Sequence, residues 1–379
     1  VRIALLTYST KPRGGVVHTL ALAEALAALG PAGGVTSVDV WTLGRGGDTT
    51  FFRPVDPRVG VRAVPFEARD DETVGARIVR SIAVLREAFA QERGAYDVVH
   101  AQDCISANAA LPCLRTVHHL DRFTTPELAA CHDRAVAEPD GLVCVSAAVA
   151  AEVASGWGRA LTVIPNGVDA PRFEAGARDV EGRAAWADRL GRYVLALGGI
   201  EPRKGTIDLL EAFALLRADP AHADLRLVVG GGETLFDYRD YRTAFDARAR
   251  ELGVEPVVVG PVDDPALPSL VAQAAVLGFT STKEGFGLAA MEALAAGVPV
   301  VARDLPVLRE VFGEAVRYGD SPAAFAVQLG AALGGVTGGV PDGVSDGAER
   351  GRALARSYTW EAAALRHVAF YAELSRLHA

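Results

Sequence analysis

The sequence lacks the marks of several protein classes. It has no surplus of positive charge: 38 Lys and Arg stand against 47 Asp and Glu, a net charge of −9 with a pI near 5.5. Binding nucleic acid takes clustered cations to neutralise phosphates, so nucleic acid is not expected as a partner. No run of 18 apolar residues occurs, so no transmembrane segment is expected. The N-terminal VRIALLTYST has a short apolar run without a small-residue cleavage site, and reads as a first strand rather than a signal peptide. Four cysteines (Cys104, Cys113, Cys131, Cys144) include no C-x-x-C and are expected as reduced core residues of a cytoplasmic protein. There is no D-x-D pair for chelating a divalent ion, and no metal site is expected. No repeat of 20–50 residues is visible. Aromatic residues are only 7% of a chain that is half hydrophobic, which suits Ala/Val/Leu-rich α/β packing rather than a β-sandwich.

What is present is an alternation of short apolar runs with Ala/Leu-rich stretches, the pattern of parallel sheets with helical crossovers. A chain of 379 residues exceeds one ordinary core, and two domains of about 180 residues are the default. Strands are expected at Arg2–Thr7, Val35–Thr42, Val61–Val64, Val98–His100, Arg115–His118, Gly141–Val145 and Leu161–Ile164, with helices at Val16–Leu29, Glu72–Gln91 and Ala147–Ser155. After the turn signal Asn166-Gly167 and a polar stretch reaching Gly191, a second series begins. Its strands are Tyr193–Leu197, Leu225–Val229, Val257–Val259, Ala275–Thr280 and Val298–Ala302; its helices are Thr206–Leu216, Phe236–Leu252 and Leu267–Ala274. Gly334–Val344 reads as a flexible loop, and Thr359 as the cap of a last helix, Trp360–Leu377. The expected domains are 1–187 and 188–357, joined near 170–190, with the helix at 358–379 packing back on the first.

The stretch TSTKEGFGLAAMEALAAGVPVV, residues 280–301, carries the chemistry. Gly285-Phe286-Gly287-Leu288-Ala289-Ala290 matches the G-x-G-x-x-A dinucleotide fingerprint between a strand and a helix, and Asp304 lies roughly 20 residues on, as a ribose-binding acid should. Two facts oppose an NAD loop. Four residues, Ser281 to Glu284, separate the strand from the first glycine, and Glu284 would sit beside the helix N-terminus where a pyrophosphate binds.

A different ligand keeps the helix N-terminus. The amides of Gly287 and Leu288 hold a phosphate, Glu292 accepts hydrogen bonds from ribose hydroxyls, and Glu284 does the same for a sugar beyond the phosphates. Arg203 and Lys204, in the loop GGIEPRKG, supply cations for a diphosphate. Ribose, diphosphate and sugar are the parts of a nucleoside diphosphate-sugar.

With these loops the chain resembles the GT-B glycosyltransferases, specifically retaining glycosyltransferase family 4. The resemblance rests on E-x7-E (Glu284-GFGLAAM-Glu292), on GGIEPRKG, and on VIPNGVD and LPVLREV. In the first half it rests on KPRGGVVHTLALAEAL, DVVHAQD and TVHHLD. It runs from residue 1 to the YTWEAAALRH helix, and E-x7-E with the Arg-Lys pair is its most specific part. It implies an α/β fold of two Rossmann-like domains with a deep cleft between them, the second holding the donor and the first the acceptor. Arg203 and Lys204 would neutralise the donor diphosphate, Glu292 bind the ribose, and Glu284 lie against the transferred sugar. Gly14 and Gly15 would bring backbone amides near the phosphates or acceptor, and His118 would approach the sugar. His119 stands where family members often have aspartate, and Asp304-Leu305-Pro306 stands where a glycine pair is common. His119 and His100 are placed on the acceptor side.

The implied reaction is a metal-independent hexosyl transfer with retention from a nucleotide-sugar, UDP-sugar ahead of GDP-sugar. The acceptor is open, a small molecule or glycan ahead of a lipid, and no cofactor is expected beyond the nucleotide-sugar co-substrate. Two alternatives stay open at the level of sequence: a GT-B sugar-nucleotide epimerase, and a non-catalytic sugar-nucleotide-binding protein.

Overall fold

The computed structural model describes all residues except 46, 47, 68, 70, 122, 124, 233–237, 335–341, 378 and 379. In chain order the first half contains β1 (Arg2–Leu6), α1 (Gly14–Leu29), β2 (Ser37–Arg45), β3 (Val59–Phe66), α2 (Val74–Glu92), β4 (Val98–Ala101), α3 (Cys104–Ala110), β5 (Leu114–Val117), α4 (Pro126–Ala137), β6 (Gly141–Cys144), α5 (Ala147–Trp157) and β7 (Thr162–Val163). Then follow α6 (Ala170–Arg178), α7 (Val180–Leu190), β8 (Tyr193–Leu197), α8 (Thr206–Arg217), β9 (Arg226–Gly230), α9 (Arg239–Glu251), β10 (Val257–Gly260), α10 (Leu267–Gln273), β11 (Val276–Phe279), α11 (Leu288–Ala295), β12 (Val300–Arg303), α12 (Pro306–Phe312), β13 (Arg317–Gly319), α13 (Pro322–Gly334), α14 (Asp342–Ser357) and α15 (Trp360–Leu377).

These elements form two compact units, one of Val1–Gly167 with Thr359–Ala379, the other of Val168–Tyr358. Each is an α/β unit around one parallel sheet. In the first the strand order is β3-β2-β1-β4-β5-β6-β7. Because helices cover both faces, β1 is apolar throughout rather than alternating, and Ile3 to Leu6 are fully buried. Ile3 and Leu5 join α1 and α15 in one core cluster, while Ala4 and Leu6 face Trp41 and Phe89 in another. Local capping sets several helix starts: Thr73 accepts from Ala76 N, Ser146 from Val149 N, and Asp103 forms a capping box with Ser106. Helix α15 returns to this unit and buries Ala363, Ala364, Phe370 and Tyr371 in its core.

In the second unit the order is β10-β9-β8-β11-β12-β13, again parallel. Its core joins Val194, Leu210, Phe213, Leu227, Phe245 and Phe325 across the sheet and its helices. No helix among the described residues is long and apolar enough to cross a membrane.

Three expectations change. Residues 170–190 are not a linker but α6 and α7, and the chain passes between units at Gly167/Val168 rather than at 187/188. Both helices are fastened to α10: Gly176 lies so close that a Cβ there would sit 2.5 Å from Pro268, and Arg183 Nε donates to Gln273 Oε1 at 3.1 Å. The expected loop at 334–344 also contracts, since Gly334 ends α13 and Asp342 begins α14; residues 335–341 lie outside the described residues. The helix expected from Phe236 is described from Arg239, Phe236 itself lying outside the described residues.

Candidate active site

In the second unit the chain order reverses between β8 and β11, which are neighbours in the sheet. The crevice beyond the carboxyl ends of strands at such a switch point is where open α/β sheets bind ligands. The loop after β8 carries Glu201 and a single 3-10 turn, Pro202–Lys204; the loop after β11 carries Glu284. The two loops are tied together by Thr282 N donating to Arg203 O at 2.8 Å and Thr280 Oγ1 to Gly205 O at 3.0 Å. Gly205 has φ +60°, and a Cβ there would stand 2.3 Å from Thr280 O, so only glycine permits this approach.

The approach brings three predicted residues together. Lys204 Nζ donates to Glu284 Oε1 at 2.7 Å, and Arg203 Nη1 lies 3.4 Å from the same oxygen. Arg203 Nη2 also reaches Glu201 Oε1 at 3.3 Å. Burial pushes the Glu284 carboxyl up, but Lys204 and Arg203 outweigh it and hold it at about 2. Glu284 is therefore ionised at neutral pH and can only accept hydrogen bonds. A small pocket beside Lys204 is lined by Gly198, Gly199, Thr206, Thr280 and Ser281. Two cations and two carboxylates thus stand at the mouth of the sheet, close to charge balance until an anion arrives.

Gly287 is the N-cap of α11 at φ +97°, with a Cβ position 3.0 Å from the Phe312 ring. The first amides after that cap, Leu288 and Ala289, have no acceptor within the helix and present partial positive charge. Glu292 lies farther along α11, with its backbone O accepting from Ala296 N at 3.0 Å. Burial raises its carboxyl to about 7; Arg172 opposes the rise, and Asp264 and Asp169 add to it. Arg172, on α6, grips the loop before α10 through Asp264, with Nη2 2.9 Å from Oδ1 and 2.6 Å from the backbone O.

In the first unit, Gly14 and Gly15 are the opening residues of α1 rather than a loop before it. A Cβ on Gly14 would meet nothing within 4 Å, and one on Gly15 would lie 3.7 Å from the His118 ring. His118 follows β5; burial, then His119 and Arg115, push it down to about 3, and its Nε2 has no hydrogen-bond partner among the described residues. His18 packs edge-on against it with ring centroids 4.6 Å apart, and His18 Nδ1 meets Asn166 Oδ1 at 2.8 Å. His119 instead pairs with Asp121 at 2.9 Å.

His100 does not fit the acceptor-side placement. It is fully buried, and both ring nitrogens are engaged at 2.8 Å, Nδ1 with Tyr371 OH and Nε2 with Thr116 Oγ1. It belongs to the core under α15. Glu201, Arg172 and His18 were not foreseen from sequence; for Glu201 the one available signal was its place in EPRK, two residues before Arg203.

A family model described as Glycosyl transferases group 1 matches residues 188–325, and one described as Glycosyltransferase Family 4 matches residues 12–172. The D-inositol 3-phosphate glycosyltransferase of Geodermatophilus obscurus is 30% identical over 372 residues, covering 87% of this chain and 82% of that protein. Among solved structures, sucrose-phosphate synthase from Thermosynechococcus elongatus aligns over 99% of each chain with a TM-score of 0.76 and 20% identity. Anabaena HepE, solved in complex with UDP and glucose, aligns over 98% of this chain and 99% of its own, with a TM-score of 0.73 and 18% identity. At such identities the structural likeness is one of fold. Fold, family models and the curated relative agree, and the chain belongs to the GT-B glycosyltransferases of family 4, the glycosyl transferases group 1 enzymes, as a hexosyltransferase.

Proposed function

We propose that this enzyme transfers a sugar from a nucleoside diphosphate-sugar, UDP ahead of GDP, to an acceptor hydroxyl with retention of configuration and without a metal ion. The observation that carries this reading is the grouping of Arg203, Lys204 and Glu284 at the switch point between β8 and β11. The cations and the amides at Gly287 and Leu288 take the diphosphate, Glu292 takes the ribose hydroxyls, and Glu284 takes hydroxyls of the transferred sugar. Gly14, Gly15, His118 and His119 serve the acceptor and sugar from the first unit. The base preference is supported by HepE, whose structure contains UDP. The relative's name makes an inositol phosphate the first acceptor to try.

In the reaction the bond between the anomeric carbon and the phosphate oxygen breaks, and the nucleoside diphosphate leaves with the electron pair. Arg203 and Lys204 stabilise the charge that builds there, usually the largest catalytic contribution. The acceptor oxygen bonds to the anomeric carbon on the face the phosphate leaves, and its proton passes to a leaving phosphate oxygen. Glu284, held at about 2 by its two cations, is too weak a base to take that proton.

The test is turnover of a panel of UDP- and GDP-sugars with inositol phosphates and other polyols, with chelator present throughout. Nucleotide release matched by a retained glycoside supports the reading. Sugar interconversion without nucleotide release, or binding without turnover across both panels, contradicts it.

A further inference from the structure

The first unit holds a buried cation that the transfer reaction does not use. Arg115, on β5, is 4% exposed, and its Nε and Nη1 have no hydrogen-bond partner among the described residues. A guanidinium so enclosed is ordinarily paired. Its neighbouring carboxylate, Asp103, is already committed: Oδ1 accepts from Ser106 N at 2.8 Å and Oδ2 from Tyr8 N at 2.9 Å. The other groups acting on the guanidinium are the thiols of Cys104, Cys131 and Cys113.

Two of those thiols belong to neighbouring helices. Cys104 is the first residue of α3, and Cys131 lies on α4, which packs against it. Asn108 locks them side by side: its Nδ2 donates to Cys104 O at 2.8 Å and Cys131 O at 2.7 Å, and lies 3.4 Å from Cys131 Sγ. Cys104 is partly exposed and Cys131 buried, so a reagent in solution reaches Cys104 first. Cys104 also has the more acidic thiol, lowered by the neighbouring Cys131 thiol and by Arg115 against the opposing effect of burial.

We propose that Cys104 and Cys131 form a redox-active thiol pair that closes to an intrachain disulfide on exposure to a hydroperoxide or a small-molecule disulfide. With a hydroperoxide, the Cys104 thiolate attacks the O–O bond, giving a sulfenic acid and releasing water or an alcohol. The Cys131 thiol attacks that sulfur, the S–S bond forms, and water leaves. With a disulfide, Cys104 forms a mixed disulfide and releases one thiol, and Cys131 displaces the second. In each case two thiols lose two electrons and two protons, and the reagent gains them. Arg115 serves as counter-ion to the attacking thiolate, beside an Asp103 whose two oxygens already accept from backbone amides. The disulfide ties α3 to α4, the helix that follows the loop bearing His118 and His119. Cys113 and Cys144 take no part: burial pushes the Cys113 thiol up to about 12, and Cys144 Sγ donates to Ser146 O at 3.3 Å.

The test treats the folded full chain with hydrogen peroxide or oxidised glutathione, quenches in acid, denatures, alkylates and maps peptides by mass. The expected result is loss of two of the four alkylatable thiols, a cross-linked Cys104–Cys131 peptide two hydrogens lighter than its parts, and recovery with dithiothreitol. Cys131→Ser should leave a Cys104 sulfenic acid that dimedone traps, and Arg115→Met should slow native-state oxidation about tenfold. Four alkylatable thiols after treatment, a bridge that includes Cys113 or Cys144, or cross-linking only in denaturant would each overturn the proposal.

Discussion

Lys204 Nζ and Glu284 Oε1 stand 2.7 Å apart, so the lysine proposed for the diphosphate is already held by the carboxylate proposed for the sugar. On the proposed reading an incoming donor would compete for that lysine and leave the glutamate to turn toward hydroxyls. Glu284→Gln removes the competing charge and keeps the shape. It is expected to bind free UDP several-fold more tightly in calorimetry while kcat falls by about 10²–10³. Lys204→Ala should lose on both counts. Weaker UDP binding in Glu284→Gln would show that the carboxylate supports the diphosphate site rather than competing with it.

Glu292 has a carboxyl raised from 4.5 to about 7, so its ionisation opposes folding. The penalty is absent below pH 4.5, grows as pH rises, and is complete above about 7, where it amounts to at most roughly 3 kcal/mol. Glu292→Gln should therefore raise Tm at pH 8 and leave it unchanged at pH 4.5. The same ionisation makes the carboxylate a stronger acceptor for ribose hydroxyls, so donor KM should fall as pH rises through 7 in the native enzyme. In Glu292→Gln that part of the profile should be flat.

Arg172 couples these features, since it grips Asp264 and holds the Glu292 carboxyl down against burial. Arg172→Ala is expected to raise donor KM about tenfold with a smaller change in kcat. It should also move the pH midpoint of donor binding upward. Unchanged KM with a pH midpoint where it was would separate Arg172 from the donor site.

Tyr371 ties α15 to the first unit through its hydroxyl on His100 Nδ1. Tyr371→Phe leaves that nitrogen unpaired in a sealed core and should cost about 1–3 kcal/mol in urea denaturation. Tyr371→Ala also opens a cavity and should cost about 3–5 kcal/mol.

The parts of the site that sequence revealed are those carried by single loops with special residues. Glu284, Gly287 and Glu292 follow one strand within a short span, and Arg203-Lys204 follow another, so strand-loop-helix reading placed them at strand ends. Which two strands are neighbours is a property of topology, and the meeting of Lys204 with Glu284 waited for the sheet order. Arg172 was hidden because its stretch is polar and rich in Gly and Arg, reading as a linker, when its helix is held by tertiary contact with α10. His100 misled for the opposite reason. A histidine at a strand end offers no sign of whether its nitrogens will meet a ligand or, as here, Tyr371 and Thr116.

The most direct measurement is nucleotide release from UDP-sugars, with an inositol phosphate as first acceptor, compared between the native enzyme and Arg203→Ala/Lys204→Ala. The account predicts acceptor-dependent UDP release by the native enzyme, reduced by at least about 10³ in the double variant, with the fold intact by circular dichroism. Release at the native rate by that variant would contradict the assignment of this cluster as the seat of transfer.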